Sequence, residues 1–122
     1  MKILVVDDEM LIRKSLSRAL ASKQHVVFEA ENGEQALRLL AAEKIDAVVL
    51  DLIMPIKSGY DVIAECTKGI PFFIISAFSG PELSADYLKS DPRIQFFIKK
   101  PFENLFDTVD LILNQLKKLD IK

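Results

Sequence analysis

The sequence predicts an α/β fold, a doubly wound (βα)5 unit with a five-stranded parallel sheet. Three observations carry this reading. Short apolar runs recur five times along the 122 residues, and apolar residues at helical spacing fill the segments between them. The central run, Val48-Val49-Leu50, is unbroken by any polar residue, as in a strand buried on both faces. Strands that alternate with helices through short connections form a parallel sheet covered on both sides by right-handed crossovers.

Ile3-Leu4-Val5-Val6 is the first strand, closed by Asp7-Asp8. From Met10 the period changes, with Ile12, Leu16, Ala19 and Leu20 on one helical face and Arg13, Lys14, Ser17 and Arg18 outside it. Val26-Val27-Phe28 is a β-branched second strand, ending near Glu29. Asn32-Gly33 reads as a turn or cap ahead of a helix with Ala36, Leu37, Leu40 and Ala41 on its apolar face. The third strand runs from Ala47 to Leu50. After Pro55, Ser58 and Asp61 have the spacing of a capping box for a short helix through Val62 and Ile63. Phe72 to Ile75 is the fourth strand, ended by Ser76. A fourth helix starts at Ser79-Gly80-Pro81-Glu82, with proline where a missing N–H costs little. Ile94 to Ile98 is the fifth strand, broken by Lys99-Lys100-Pro101. Leu105, Phe106, Val109, Ile112, Leu113 and Leu116 form the last helical stripe, before a loose tail from Leu119 to Lys122.

At this length the chain is one domain, spanning 1–122, and is able to bury a core without staples. A formal net charge of −2 gives no reason to expect nucleic acid or an anionic membrane as a partner. No apolar run approaches the roughly 20 residues of a membrane helix. The short apolar start runs straight into acids, unlike a signal peptide. Cys66 is the single cysteine, so no internal disulfide forms, which suits a reducing cytoplasm. It reads as a small buried hydrophobe. His25, the single histidine, falls at a strand start away from any polar cluster and reads as surface or edge packing.

All strands of a parallel sheet end on one edge, and ligand sites gather there. Four of these ends carry polar groups: Asp7 and Asp8, then Asp51, Ser76 and Lys100. In the usual strand order 2-1-3-4-5 the second strand would lie to one side. Three acids, a hydroxyl and a lysine then converge on one shallow cleft. Clustered carboxylates repel, and a hard divalent cation such as Mg²⁺ relieves that repulsion while keeping several waters. Mg²⁺, lysine and a hydroxyl are what the oxygens of a transferring phosphoryl group require. A carboxylate can itself be the nucleophile and form an acyl phosphate. Asp51 is the best-centred acceptor. Taken singly, Asp7 or Asp8 could cap the first helix, Ser76 could be a loop residue, and Lys99-Lys100 could be solvated charges.

Val5-Val6-Asp7-Asp8-Glu9, Leu50-Asp51-Leu52-Ile53-Met54-Pro55, Ser58-Gly59, Ile75-Ser76-Ala77 and Lys99-Lys100-Pro101-Phe102 together resemble the receiver domain of two-component response regulators, a flavodoxin-like family that includes the chemotaxis regulator. The resemblance implies a phosphorylation-activated switch in a phosphorelay. Asp51 would take a phosphoryl group from a phosphohistidine on a sensor histidine kinase or histidine phosphotransfer protein. Asp8, Asp51 and the Ile53 backbone carbonyl would ligate Mg²⁺, and Asp7 would act through bound water. Lys100 would pair with the phosphorylated aspartate, next to a cis Lys100-Pro101 bond. Ser76 and the Ala77 N–H would bind a phosphoryl oxygen. Phe97 would swing inward with Ser76 and reshape the face formed by the fourth helix, fifth strand and fifth helix. That face would then meet a downstream protein or output domain, as a monomer or a phosphorylation-dependent dimer.

Ile53 departs from the polar residue common at that position, and Phe78 is bulky; both flank the route of water to an acyl phosphate, so self-dephosphorylation should be slow. Leu83, Tyr87 and Leu111 are candidate exposed apolar residues of a partner surface. A Mg²⁺-dependent aspartyl phosphatase is the rival from the enzyme class, but it would want a second acid where Ile53 stands. A flavin-binding domain of the same strand order would want small and hydroxyl residues after the first strand, where Asp7-Asp8-Glu9 stand instead. A receiver used only as a constitutive interaction module would not need the acids, Ser76 and Lys100 together. The domain is either a stand-alone receiver or the front of a longer, DNA-binding transcriptional regulator.

Overall fold

A computed structural model describes residues 1–77 and 90–119. The strands are β1 (Lys2–Val6), β2 (Val26–Ala30), β3 (Ala47–Asp51), β4 (Phe72–Ser76) and β5 (Ile94–Lys99). The helices described are α1 (Met10–Ser22), α2 (Gly33–Ala42), α3 (Gly59–Glu65) and a C-terminal helix, Leu105–Lys118. The sheet is parallel throughout, in the order β2-β1-β3-β4-β5. This is the order expected from the sequence. The start of the predicted fourth helix, with Phe78, Leu83 and Tyr87, lies outside the described residues, as does the tail beyond Leu119.

Successive strand side chains point to opposite faces, so a sheet covered on both sides needs apolar residues at every position. Leu4, Val6, Val48, Leu50, Phe72 and Ile74 form one core with Ala36 and Leu40 of α2 and with Val62 and Ile63 of α3. Ile3, Val5, Ala47, Val49, Phe73 and Ile75 form the other with Leu16 and Leu20 of α1 and Val109, Ile112 and Leu116 of the C-terminal helix. Cys66 belongs to the first core as a buried thiol. The unbroken apolar runs are thus two interleaved faces.

Three helix starts follow local chemistry, whereas α1 has Glu9 at its N-cap and no side-chain cap from Asp7, Asp8 or Glu9. The side chain of Asn32 accepts from the Gln35 N–H, and that of Asn104 from the Asp107 N–H. Ser58 and Asp61 form the expected reciprocal capping box. The His25 ring instead lies 3.3 Å from the N-terminal amine, at the far edge of the sheet from the strand ends.

Side-chain placement departs from the predicted stripes at four positions. Arg13 and Ser17 of α1 are buried, because positions 13, 16, 17 and 20 share one helical face with the Leu16 and Leu20 contacts. The Ser17 hydroxyl has no hydrogen-bond partner among the described residues. Ala41 is exposed, since α2 buries a narrower stripe centred on Ala36 and Leu40. Phe106 is 62% exposed, on the margin of the C-terminal stripe in the helix's first turn. Leu111 is exposed, as expected.

Candidate functional site

The sheet register delivers the polar strand ends to one edge. Asp7 extends the β1 ladder by donating its N–H to the Ala30 carbonyl at 3.1 Å. Asp51 closes β3 opposite Ile75, and Ser76 closes β4 opposite Lys99. Lys100 then donates its backbone N–H to the Ser76 carbonyl at 2.7 Å, and the next peptide bond, Lys100-Pro101, is cis. Asp7, Asp51, Ser76 and Lys100 are all buried, whereas Asp8 is exposed.

Carboxylate oxygens of Asp7, Asp8 and Asp51 lie within 4.8 Å of one another. The Lys100 ammonium stands among the acids, 3.0 Å from Asp7 Oδ2, 3.1 Å from Glu9 Oε1 and 3.4 Å from Asp51 Oδ2. Burial pushes the Asp51 carboxyl up to about 6; the neighbouring Asp7 charge adds to this, and Lys100 and the Ile53 N–H only partly oppose it. Burial likewise raises Asp7, against the pull of the Glu9 N–H and Lys100. Burial alone would lower Lys100, but its bond to Asp7 and the Asp51 and Glu9 charges raise it well above the usual lysine value. One ammonium does not compensate this many acids. The donor set is all oxygen, open on the Asp8 side, and still short of positive charge, which fits a hard divalent cation that retains waters.

The loop from β3 to α3 frames the cleft. Leu52 and Met54 turn into the core while Ile53, 48% exposed, lines the cleft with Asp8, Glu9, Asp51, Ala77 and Lys100. Gly59 donates to the Leu52 carbonyl at 2.9 Å, and a Cβ on Gly59 would stand 2.3 Å from the Asp51 carbonyl oxygen. Only glycine permits that approach. Phe97 is 39% exposed on the edge strand β5 and is not among the residues lining the cleft.

Three residues at the site were missed by the sequence reading. Glu9 reads as a repelling acid in the motif, yet it bonds Lys100 from the solvent side. Arg13 is buried and donates to the Asp7 carbonyl at 2.8 Å. Glu29, set aside as lying to one side, holds the Arg13 Nε at 3.1 Å. The helical spacing of Arg13 with Leu16 and Leu20 was the available signal, hidden by its charge.

The family model for the response regulator receiver domain matches residues 3–110. A probable transcriptional regulator ycf27 of Cyanidium caldarium is 34% identical, over 95% of this chain and 58% of that protein. The response regulator MprA of Mycolicibacterium vanbaalenii is 34% identical, over 83% of this chain and 44% of its own length. The chain thus spans about half the length of the curated relatives it matches. Among solved structures, the response regulator protein TrrA of Thermotoga maritima, in complex with Mg²⁺–BeF, superposes with a TM-score of 0.78 at 32% identity, covering 94% of this chain and 97% of that one. A CheY-like receiver domain protein from Methanospirillum hungatei shares the fold, with a TM-score of 0.85 at 21% identity over 98% of this chain and 95% of that one.

Proposed function

The chain belongs to the response regulator receiver family, and from that premise we propose that Asp51 is the residue that takes the phosphoryl group. The observation that carries this is the setting of Asp51: a buried carboxylate at the centre of the sheet edge, within 4.8 Å of the Asp7 and Asp8 oxygens and 3.4 Å from the Lys100 ammonium. An Asp51 oxygen attacks the phosphorus of a phosphohistidine, the P–N bond breaks, and the freed imidazole leaves with the electron pair and takes up a proton. An acyl phosphate remains on Asp51.

Asp8, Asp51 and the Ile53 backbone carbonyl would hold Mg²⁺, with Asp7 acting through water. Bound there, the ion supplies positive charge to the transferring oxygens. Lys100 supplies the remaining positive charge, exchanging a carboxylate partner for a phosphoryl oxygen. Ser76 and the Ala77 N–H supply neutral donors. Such contacts favour one packing of Ser76 and Phe97 over another, and the equilibrium shifts by the difference in binding between the two.

The donor is a sensor histidine kinase or histidine phosphotransfer protein, and the setting is the cytoplasm. No helix among the described residues is long and apolar enough to cross a membrane. The output is carried by a downstream protein or by a further domain. Full-length relatives that are transcriptional regulators, roughly twice the span matched here, support a receiver that governs a DNA-binding part. In this reading residues 1–122 act as one receiver unit that turns over no separate substrate.

The test is incubation of the native protein with Mg²⁺ and acetyl phosphate. The expected result is a mass gain of one phosphoryl group, lost in Asp51→Asn and on chelation. Labelling that persists in Asp51→Asn would overturn the assignment.

A further inference from the structure

We infer that Arg13 is a positioning residue for the cation site, acting on Asp8 through the peptide bond that joins it to Asp7. The inference rests on the reading of Asp8 as a Mg²⁺ ligand and adds a residue outside the cleft to the machinery.

Every polar group of Asp7 is held. Its N–H goes to the Ala30 carbonyl, its Oδ1 accepts from the Glu9 N–H at 2.8 Å, and its Oδ2 accepts from Lys100. The remaining group, the Asp7 carbonyl, accepts from Arg13 Nη1 at 2.8 Å in a buried contact. That carbonyl belongs to the Asp7–Asp8 peptide plane, so fixing it fixes the direction in which the chain enters Asp8. Asp8 itself is exposed, with none of the burial that holds Asp7 and Asp51. Its carboxylate is therefore aimed by its backbone.

The charge of Arg13 is partly offset in place. A buried cation close behind a cation site would oppose Mg²⁺, but one Glu29 oxygen accepts from Arg13 Nε at 3.1 Å, while the other takes the exposed Lys14 Nζ at 3.2 Å. The planar fork lets one nitrogen keep Glu29 while another grips the carbonyl, which a lysine's single ammonium reproduces poorly. Partners one layer out from metal ligands typically change metal affinity by 10–100-fold on mutation. A purely structural Arg13, tying α1 to β2, predicts lower thermal stability and unchanged affinity.

Mg²⁺ is titrated calorimetrically into the unphosphorylated full chain. Wild type binds, Asp8→Asn loses binding, and Arg13→Met, which keeps the aliphatic stem, binds about tenfold more weakly. In acetyl phosphate labelling, the Mg²⁺ concentration for half-maximal rate rises in step, while the rate at saturating Mg²⁺ stays near that of wild type. Ile112→Val, a core change on the C-terminal helix that touches no polar group of the site, lowers the melting temperature without moving either value. Should Arg13→Met fail to fold, Arg13→Lys carries the test, with a severalfold weakening expected. Wild-type affinity in the folded Arg13 variant overturns the inference, as does an equal loss in Ile112→Val. If wild type itself binds no Mg²⁺, the cation-site reading fails first and this inference falls with it.

Discussion

The Nζ of Lys100 and Oδ2 of Asp51 lie 3.4 Å apart across the end of β4, an ion pair that does not bring the Asp51 carboxyl back to its ordinary range. Burial and the Asp7 charge outweigh the lysine, and the group titrates at about 6 in place of the usual 3.8. Asp51 is thus the electrostatically strained member of the acid cluster.

This strain has a pH signature. A carboxyl whose folded pKa lies above its unfolded one binds more protons in the native state, so stability falls as pH rises between the two values. The cost of ionised Asp51 is fully present above about pH 6 and absent below about pH 4, and amounts to at most about 3 kcal/mol. Asp51→Asn should therefore be more stable than wild type in urea unfolding at pH 7.5 with chelator, and the gap should close as the pH is lowered. A less stable Asp51→Asn at pH 7.5 would mean that the Lys100 pair dominates.

Ile53 should set how long the acyl phosphate survives. It is half exposed and lines the cleft beside Asp51, offering no hydrogen bond to an attacking water. Loss of label after removal of the phosphodonor should take minutes or longer. Ile53→Asn, which supplies an amide to orient water, should shorten it severalfold; an unchanged decay would remove Ile53 from the account.

The fold was legible because two periods are written over each other. Unbroken runs such as Val48 to Leu50 announce strands apolar on both faces, and Ser58 with Asp61 announces a helix start by spacing alone. The strand-end residues Asp7, Asp51, Ser76 and Lys100 follow from the same count, since parallel strands end together. Arg13 was not legible by hydropathy, because its burial depends on two acceptors from other elements, Asp7 and Glu29. Phe106 failed for the opposite reason: an apolar side chain at a stripe's margin is buried only if the neighbouring layer reaches it.

Gly59→Ala should damage stability and phosphorylation together. The added Cβ would meet the Asp51 carbonyl oxygen at 2.3 Å and Leu52 Cα at 2.8 Å, both backbone atoms of the acceptor segment. A loss of about 2 kcal/mol is expected from the forced shift, with slower acetyl phosphate labelling because the displaced backbone is that of Asp51. Gly69→Ala, where a Cβ meets nothing within 4 Å, is the matched control and should leave labelling unchanged.

Arg93 closes the end of α3. Its guanidinium donates to the carbonyls of Ile63, Cys66 and Lys68 at 2.8, 2.6 and 3.1 Å, pairs with Asp91, and lies 5.1 Å from the centroid of the Phe72 ring. The last carbonyls of a helix have no partners within it, so Arg93 supplies what the helix lacks. Arg93→Met should cost about 2–3 kcal/mol and lower amide-exchange protection in α3 first. Equal loss of protection in β1 and α3 would argue against a local latch.

Ile56, in the loop from β3 to α3, is one of two non-glycine residues with positive φ among the described residues, the other being Gln24. Ile56 has φ of 70°, in the left-handed region, where a β-branched side chain is strongly disfavoured, and it is 73% exposed, so little packing offsets the cost. Its neighbours impose the conformation: Gly33 donates to the Lys57 carbonyl at 2.8 Å, Gly59 donates to Leu52, and the Ser58–Asp61 box fixes the start of α3. Asparagine adopts this region more readily. Ile56→Asn should raise stability by about 1 kcal/mol, seen as a higher urea midpoint with an unchanged slope. Ile56→Val, equally branched, should bring no such gain. Stabilisation by both would place the cost in the exposed apolar surface of Ile56 and not in its backbone.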